Sequence, residues 1–244
     1  CGGDGTINEV VNGIAGYPNA AMTAIPIGTG NDFLKNFGPK EILFSDAENL
    51  FDGDETELDL IDCNGQLALT IACSGIDARV AADVHRYTAR PQLDGKTSYL
   101  VAVARNVIFK ELCSHWTVSI DGEAKEADYT LVAVCNGRYY GGGSTPVPEA
   151  RMDDGVLHTV VIKKLSKVTF ARLFSPYSAG EYRKLPSNLI RVYDAKEVRI
   201  QADEEIVTCV DGECFRSRDV VMRLSDKKLR FFGPKGCSPN ATAR

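Results

Sequence analysis

The sequence predicts an α/β domain, cut short at its start, followed by a larger β-rich domain. Two glycine-rich loops, at Gly2 and at Gly28, each open onto a helix, and from Glu57 onward short strand-length apolar runs take over. Loop, helix, strand, loop, helix is α/β grammar, whereas closely spaced short strands belong to a sheet-on-sheet domain. The boundary is expected near residue 57: an α/β portion at 1–56, a β-rich portion at 57–225, and a tail at 226–244 that returns to the first.

Ile7, Val10, Val11 and Ile14 recur at helical spacing, and Gly16 and Pro18 stop the helix. A strand follows from Met22 to Ile27, then Gly28-Thr29-Gly30-Asn31-Asp32 and a helix from Asp32 to about Asn36. Strands are expected at Glu57–Cys63, Gln66–Cys73, Trp116–Ile120, Thr130–Asn136, Leu157–Lys163, Glu197–Gln201, Ile206–Val210, Val220–Leu224 and Leu229–Phe232. Trp116, Val118 and Ile120 alternate with polar residues, as in a half-buried strand, while LVAVC does not alternate and suits a strand covered on both faces. Helices are expected at about Ala78–Tyr87, Ser98–Lys110 and Lys167–Phe174.

The chain has 244 residues, of which 44% are hydrophobic and 25% charged, so it is long and apolar enough for a sizeable core. With 28 Lys+Arg against 33 Asp+Glu the net charge is −5, which argues against a nucleic-acid binder. Eight cysteines contain no C-x-x-C pair, and with three scattered histidines they offer no zinc site. Cysteines inside apolar runs read as reduced buried thiols, which points to the cytosol. Apolar runs of about five residues are far too short to span a bilayer. The chain opens on Cys1 directly before the glycines, so a leading strand is read as missing.

Gly2-Gly3-Asp4-Gly5-Thr6, with Asn8 and Glu9 in the helix that follows, lets backbone N–H groups approach an anion beside a helix N-terminus. Asp4 would repel a bare phosphate, so the loop makes sense for a magnesium nucleotide. The Gly28–Asp32 loop repeats the device, although Asn31 or Asp32 also serves as an ordinary N-cap. No Walker or protein-kinase motif is present. Asp-Gly-Glu occurs at 121–123 and at 211–213, and the first copy reads as a hairpin turn. Lys163, Lys164 and Lys167, and separately Lys227, Lys228 and Arg230, read as solvated faces, with anionic lipid the alternative. The histidines have no nucleophile partner.

In order along the chain, GGDGTINEVVNGI, IPIGTGNDF, CSGIDARVA, GRYYGGG with PEARMDDGVL, and VDGE resemble the bacterial diacylglycerol kinase family of soluble lipid kinases, which is related to sphingosine and NAD kinases. The resemblance implies a truncated Rossmann-like nucleotide-binding domain followed by a β-sandwich, with ATP between them. It implies nucleotide contacts at Gly3, Asp4, Gly5, Thr6, Ile7, Asn8, Glu9 and Thr29. Asp4, Asp32 and Asp59 match acidic positions linked to the catalytic Mg2+, partly through water, and Asp59 taken alone reads as a surface strand residue. Glu213 matches the proton acceptor. Asp154, with the carbonyl oxygens of Arg151 and Val156, matches a second, structural divalent cation. The implied reaction moves the γ-phosphoryl group of ATP to a lipid hydroxyl, foremost that of diacylglycerol. It implies a cytoplasmic protein, peripheral at the inner face of the membrane and compatible with a homodimer. NAD phosphorylation and a non-catalytic nucleotide- or lipid-binding module are the competing readings.

Overall fold

The computed structural model describes residues 1–88, 103 and 105–239. The first glycine loop runs directly into helix α1 (Asp4–Ile14), whose Ile7 and Val11 are buried. The stretch 22–27 does not form the expected strand. It makes two isolated parallel bridges, Gly2 to Pro26 and Met22 to Phe231, because each end lies against a different segment. The second loop ends in a single-turn helix, α2 (Asp32–Lys35). A 3-10 segment (Gly38–Ser45) and a short helix α3 (Glu48–Phe51) lead to strand β1 (Asp54–Leu58).

Two expected strands are each broken in the middle. Glu57–Cys63 divides into β1 and β2 (Ile61–Cys63), and Gln66–Cys73 divides into β3 (Gln66–Ala68) and β4 (Ile71–Gly75). The first break is a change of partner: β1 pairs antiparallel with the chain's last strand, β11 (Leu229–Gly233), while β2 pairs with β10 (Glu213–Leu224). Asn136 stitches both breaks, its amide donating to the carbonyls of Asp59 and Leu69 at 2.8 Å each. Asp59 is therefore not a surface strand residue. It is 1% exposed and sits in the break.

The larger portion is wholly antiparallel, with strands in the order β3-β2-β10-β9-β4-β6-β7-β8. Strands β6 (Glu123–Cys135) and β9 (Glu197–Val210) are long. Their first halves pair with β5 (Ser114–Ile120) and their second halves with β4, so the sheet folds over on itself. The two expected strands 197–201 and 206–210 are one, because Ala202–Glu205 continue β9 along its solvent side. Strand β7 (Leu157–Lys163) has the expected limits, and β8 (Ile190–Ala195) follows it. Helices α4 (Ile76–Thr88) and α5 (Lys167–Ser178) cover the outer face. Of the helix expected at 98–110, residues 98–102 and 104 lie outside the described residues, and 103 and 105–109 are helical.

Three cores follow. One lies inside the folded-over sheet around Trp116, Val132, Ile200 and Met222, and one lies under α4 and α5. The third unites α1 and α2 with Leu58, Leu69, Met152, Leu229 and Phe231, so strands from both ends of the chain complete the first portion. All eight cysteines are free. Among the described residues, no helix is long and apolar enough to cross a membrane.

Candidate active site

The two glycine loops touch backbone to backbone. A Cβ at residue 28 would stand 2.5 Å from the Gly3 Cα, and one at residue 30 would stand 2.8 Å from an Asp4 carboxylate oxygen. Only glycine allows this approach. The Gly2 amide donates to Ile25 and the Ile27 amide to Gly2, which fixes the first loop beside the second. Asn31 occupies the N-cap position of α2 in the left-handed region (φ 52°), yet its side chain makes no capping bond and its amide turns back to the Gly28 carbonyl. Asp4 takes over that task from across the cleft, accepting from the Phe33 amide at 3.1 Å. The expected capping by Asn31 or Asp32 is thus replaced by a carboxylate from the other loop.

Asp32 is 7% exposed and held from both sides. Lys35 Nζ lies 2.5 Å from one oxygen, and the Gly142 amide donates to the other at 2.7 Å. Gly141, Gly142 and Gly143 all have positive φ, a turn only glycine adopts readily, and this brings the 142 amide to Asp32.

Asp4 and Asp32 line a cavity of about 270 Å3 between the two portions of the chain. Its other walls are mostly apolar: Ile71, Cys73, Ala81, Val84 and Cys209. Asp77, which also lines it, accepts from Tyr140 Oη at 2.7 Å, and Tyr177 Oη lies 3.3 Å from Tyr140 Oη. Burial pushes the Asp77 carboxyl above the usual carboxylate range, opposed by the Tyr140 hydrogen bond. The cleft therefore combines the glycine loops and the Asp4 and Asp32 carboxylates with mostly apolar side chains among which Asp77 and Asp211 are set. A larger groove of about 660 Å3 beside Arg79, Asp83, Lys110 and His115 contains none of the expected site residues.

The remaining expected residues fall in different places. Ile7 lines the cleft and Asn8 is buried behind it, whereas Gly5, Thr6, Glu9 and Thr29 are exposed. Asp59 does not line the cleft. Its carboxylate takes Lys228 Nζ and the Gly155 amide, each at 2.7 Å, and its own amide donates to Met152, so it anchors the 152–155 loop. Asp154 is exposed and accepts from the Val156 amide at 3.1 Å, while Arg151 reaches Asp153. Among the described residues, no three His, Cys, Asp or Glu side chains converge as a metal site.

Both Asp-Gly-Glu copies are two-residue hairpin turns with the same backbone: φ is 46° and 89° at Asp121 and Gly122, and 45° and 102° at Asp211 and Gly212. Only the second reaches the cleft. Asp211 and Gly212 line it, and Glu213 is exposed next to them at the start of β10. Asp211 is a site residue the sequence reading missed, since Asp in a D-G turn needs no further reason. Its surroundings supply one. Leu69, Thr70 and Ile71 amides, the Thr70 hydroxyl and the Asn8 side chain all donate to its carboxylate.

The magnesium and nucleotide implied by this pattern fit the residues present. Mg2+ is commonly bound by one or two carboxylates together with substrate phosphates, and Asp4 and Asp32 offer two at the mouth of a loop pair that a Cβ would block.

The diacylglycerol kinase catalytic domain matches residues 1–63, and the YegS C-terminal NAD kinase beta sandwich-like domain matches residues 70–233. A YegS-like probable lipid kinase of Shewanella frigidimarina is 25% identical over 240 residues, 97% of this chain and 76% of that protein. A diacylglycerol kinase of Bacillus subtilis is 28% identical over 214 residues, 87% and 69%. The crystal structure of a candidate diacylglycerol kinase from Bacillus anthracis superposes with a TM-score of 0.71 at 26% identity, covering 95% of this chain and 76% of that one.

Proposed function

The chain belongs to the diacylglycerol kinase family whose second domain is the YegS-type β-sandwich, and from that membership we propose that it transfers the γ-phosphoryl group of ATP to the hydroxyl of a lipid alcohol, diacylglycerol foremost. The observation that carries this reading is the cleft itself, which Asp4 and Asp32 line beside the two abutting glycine loops and whose remaining lining is mostly apolar. An apolar wall beside the glycine loops suits the acyl chains of a lipid.

In this reading Gly3–Glu9 and Thr29 hold the nucleotide. Asp4 and Asp32 are the carboxylates that would hold Mg2+, which when bound neutralises charge on the β- and γ-phosphates. Glu213 accepts the proton of the lipid hydroxyl while the new oxygen–phosphorus bond forms, since a carboxylate cannot fully deprotonate an alcohol beforehand. Positioning supplies much of the rest: the Gly142 amide and Lys35 fix Asp32, and the Phe33 amide fixes Asp4. Asp59 contributes by holding the 152–155 loop, where Asp154 with the Arg151 and Val156 carbonyl oxygens is the candidate holder of a structural divalent cation. The lipid acceptor brings the chain to a membrane surface. Exposed Ile108, Phe109 and Val168, with Lys167 bonded to the Ile108 carbonyl, offer a face for it.

The test is transfer of label from γ-labelled ATP and Mg2+ to a panel of detergent-dispersed lipid alcohols, with NAD in a parallel arm. Label in the organic phase, largest with diacylglycerol, is the expected result. Label only in the aqueous NAD product, or nucleotide binding without any transfer, would replace the proposal by one of its competitors.

A further inference from the structure

We propose that Asp211 is a positioning residue that clasps the Asp211–Glu213 hairpin to helix α1, so that the hairpin stands in register with the glycine loop only while α1 is seated. The two-residue turn does not require an aspartate, because Asn-Gly serves a type I′ turn equally well. The surrounding donors do require one. One carboxylate oxygen accepts from the Ile71 amide (2.9 Å), the Thr70 amide (3.1 Å) and the Thr70 hydroxyl (2.5 Å). The other accepts from the Leu69 amide (2.5 Å) and from Asn8 Nδ2 (3.2 Å). An ionised carboxylate is acceptor-only and can take all of these, whereas an amide would turn an NH2 against N–H groups.

None of these donors belongs to the hairpin. Four come from the β3–β4 break and the first residue of β4, and one from α1, inside the Gly3–Glu9 run that the proposed function assigns to the nucleotide. Asn8 Nδ2 also reaches the Leu67 carbonyl, and Asn12 exchanges two bonds with Leu67, so α1 and the break are already joined where the clasp closes. The other Asp-Gly-Glu copy is a built-in comparison. Asp121 accepts from the Lys196 and Glu197 amides, in and next to β9 of the same folded-over sheet. Same turn, same residue, different reach: among the donors at Asp211, Asn8 comes from the other portion of the chain and ties the two together.

The inference rests on the kinase reading only for its activity arm, and amide hydrogen exchange on the ligand-free chain tests it without substrate. Asp211→Asn is expected to speed exchange in 67–71 and 209–214 and also, by about tenfold, in 4–14. Asp121→Asn should leave 4–14 unchanged, because none of its donors lies in α1. In a chain that phosphorylates lipid, Asp211→Asn should lower kcat by about 30-fold and raise KM for ATP as well, since the run that holds the nucleotide loosens together with the hairpin. Unchanged exchange in 4–14 overturns the proposal, as does an unchanged kcat in an active chain. Should Asp211→Asn fail to fold, Thr70→Val removes one donor and keeps the carboxylate. Faster exchange that reaches 4–14 then supports the clasp, and faster exchange confined to 67–71 overturns it. A wild-type chain inert toward every alcohol defeats the kinase reading alone and leaves exchange to decide the clasp.

Discussion

Asp77 keeps a carboxyl in a wall that is otherwise mostly apolar, with Tyr140 as its hydrogen-bond donor. Burial raises its pKa in the folded chain above the ordinary 3.8, and the Tyr140 bond only partly offsets this. A folded-state pKa above the unfolded one means the fold binds the proton more tightly. Stability is then fullest below the unfolded value and falls as pH rises through the folded one. Asp77→Asn is therefore expected to melt a few degrees higher than wild type at pH 7, with the gain shrinking toward pH 4. Melting curves at several pH values check this, and a gain that does not change with pH would show that charge burial is not the cause. At the mouth of the cleft, Asp4→Asn and Glu213→Gln are each expected to cut kcat by roughly 10²-fold or more, while Glu123→Gln has little effect. Steady-state kinetics decides. Equal losses at Glu123 and Glu213 would show that the two hairpins are not functionally distinct, which their shared backbone alone leaves open.

The strand breaks are where element-level reading of the sequence ran out. Hydrophobic pattern made Glu57–Cys63 one strand, because Leu58, Leu60 and Ile61 are all buried, but pattern says nothing of a change of partner at Asp59. Strand β8 went unnoticed because only Ile190 and Ala195 are buried along it, too weak an alternation to see. What local chemistry dictates was legible: the D-G turn at Asp121, the alternation of β5, the uniform burial of LVAVC and the first glycine loop as a helix start. Asn136, at the end of LVAVCN, was not, although it holds both breaks and its amide is buried. Asn136→Ala leaves the Asp59 and Leu69 carbonyls without that donor, at about 1–3 kcal/mol for each unsatisfied group. Urea unfolding should show a loss of this size, and a change under about 0.5 kcal/mol would mean water replaces the amide. In the neighbouring loop, Asp154→Ala is expected to lower both the divalent-metal content of dialysed protein and its melting temperature. Metal analysis unchanged in the variant would remove the structural cation.

At the scale of the whole molecule, the first portion does not own its core. Phe33, Phe37 and Phe44 are buried against Phe231, with ring centroids 5.0, 5.6 and 5.9 Å from it, and Phe231 comes from the far end of the sequence. Leu229 on the same strand and Met152 from the sandwich complete the cluster. The sandwich has a separate core, reported by the chain's single tryptophan, Trp116, which is 4% exposed and stacked with Tyr129. Phe231→Ala should therefore act unevenly. Losing a fully buried ring costs about 3–5 kcal/mol, and the loss falls on residues 1–58 and on β11. Unfolding should become biphasic: helix signal from α1 and protease resistance of 1–58 disappear first, while Trp116 fluorescence keeps its wild-type midpoint. A single transition in which helix signal and Trp116 fluorescence still shift together would mean that the contacts across Asp59, Asn8 and Asp211 bind the two portions into one cooperative unit, and that the phenylalanine cluster is not what holds the first portion in place.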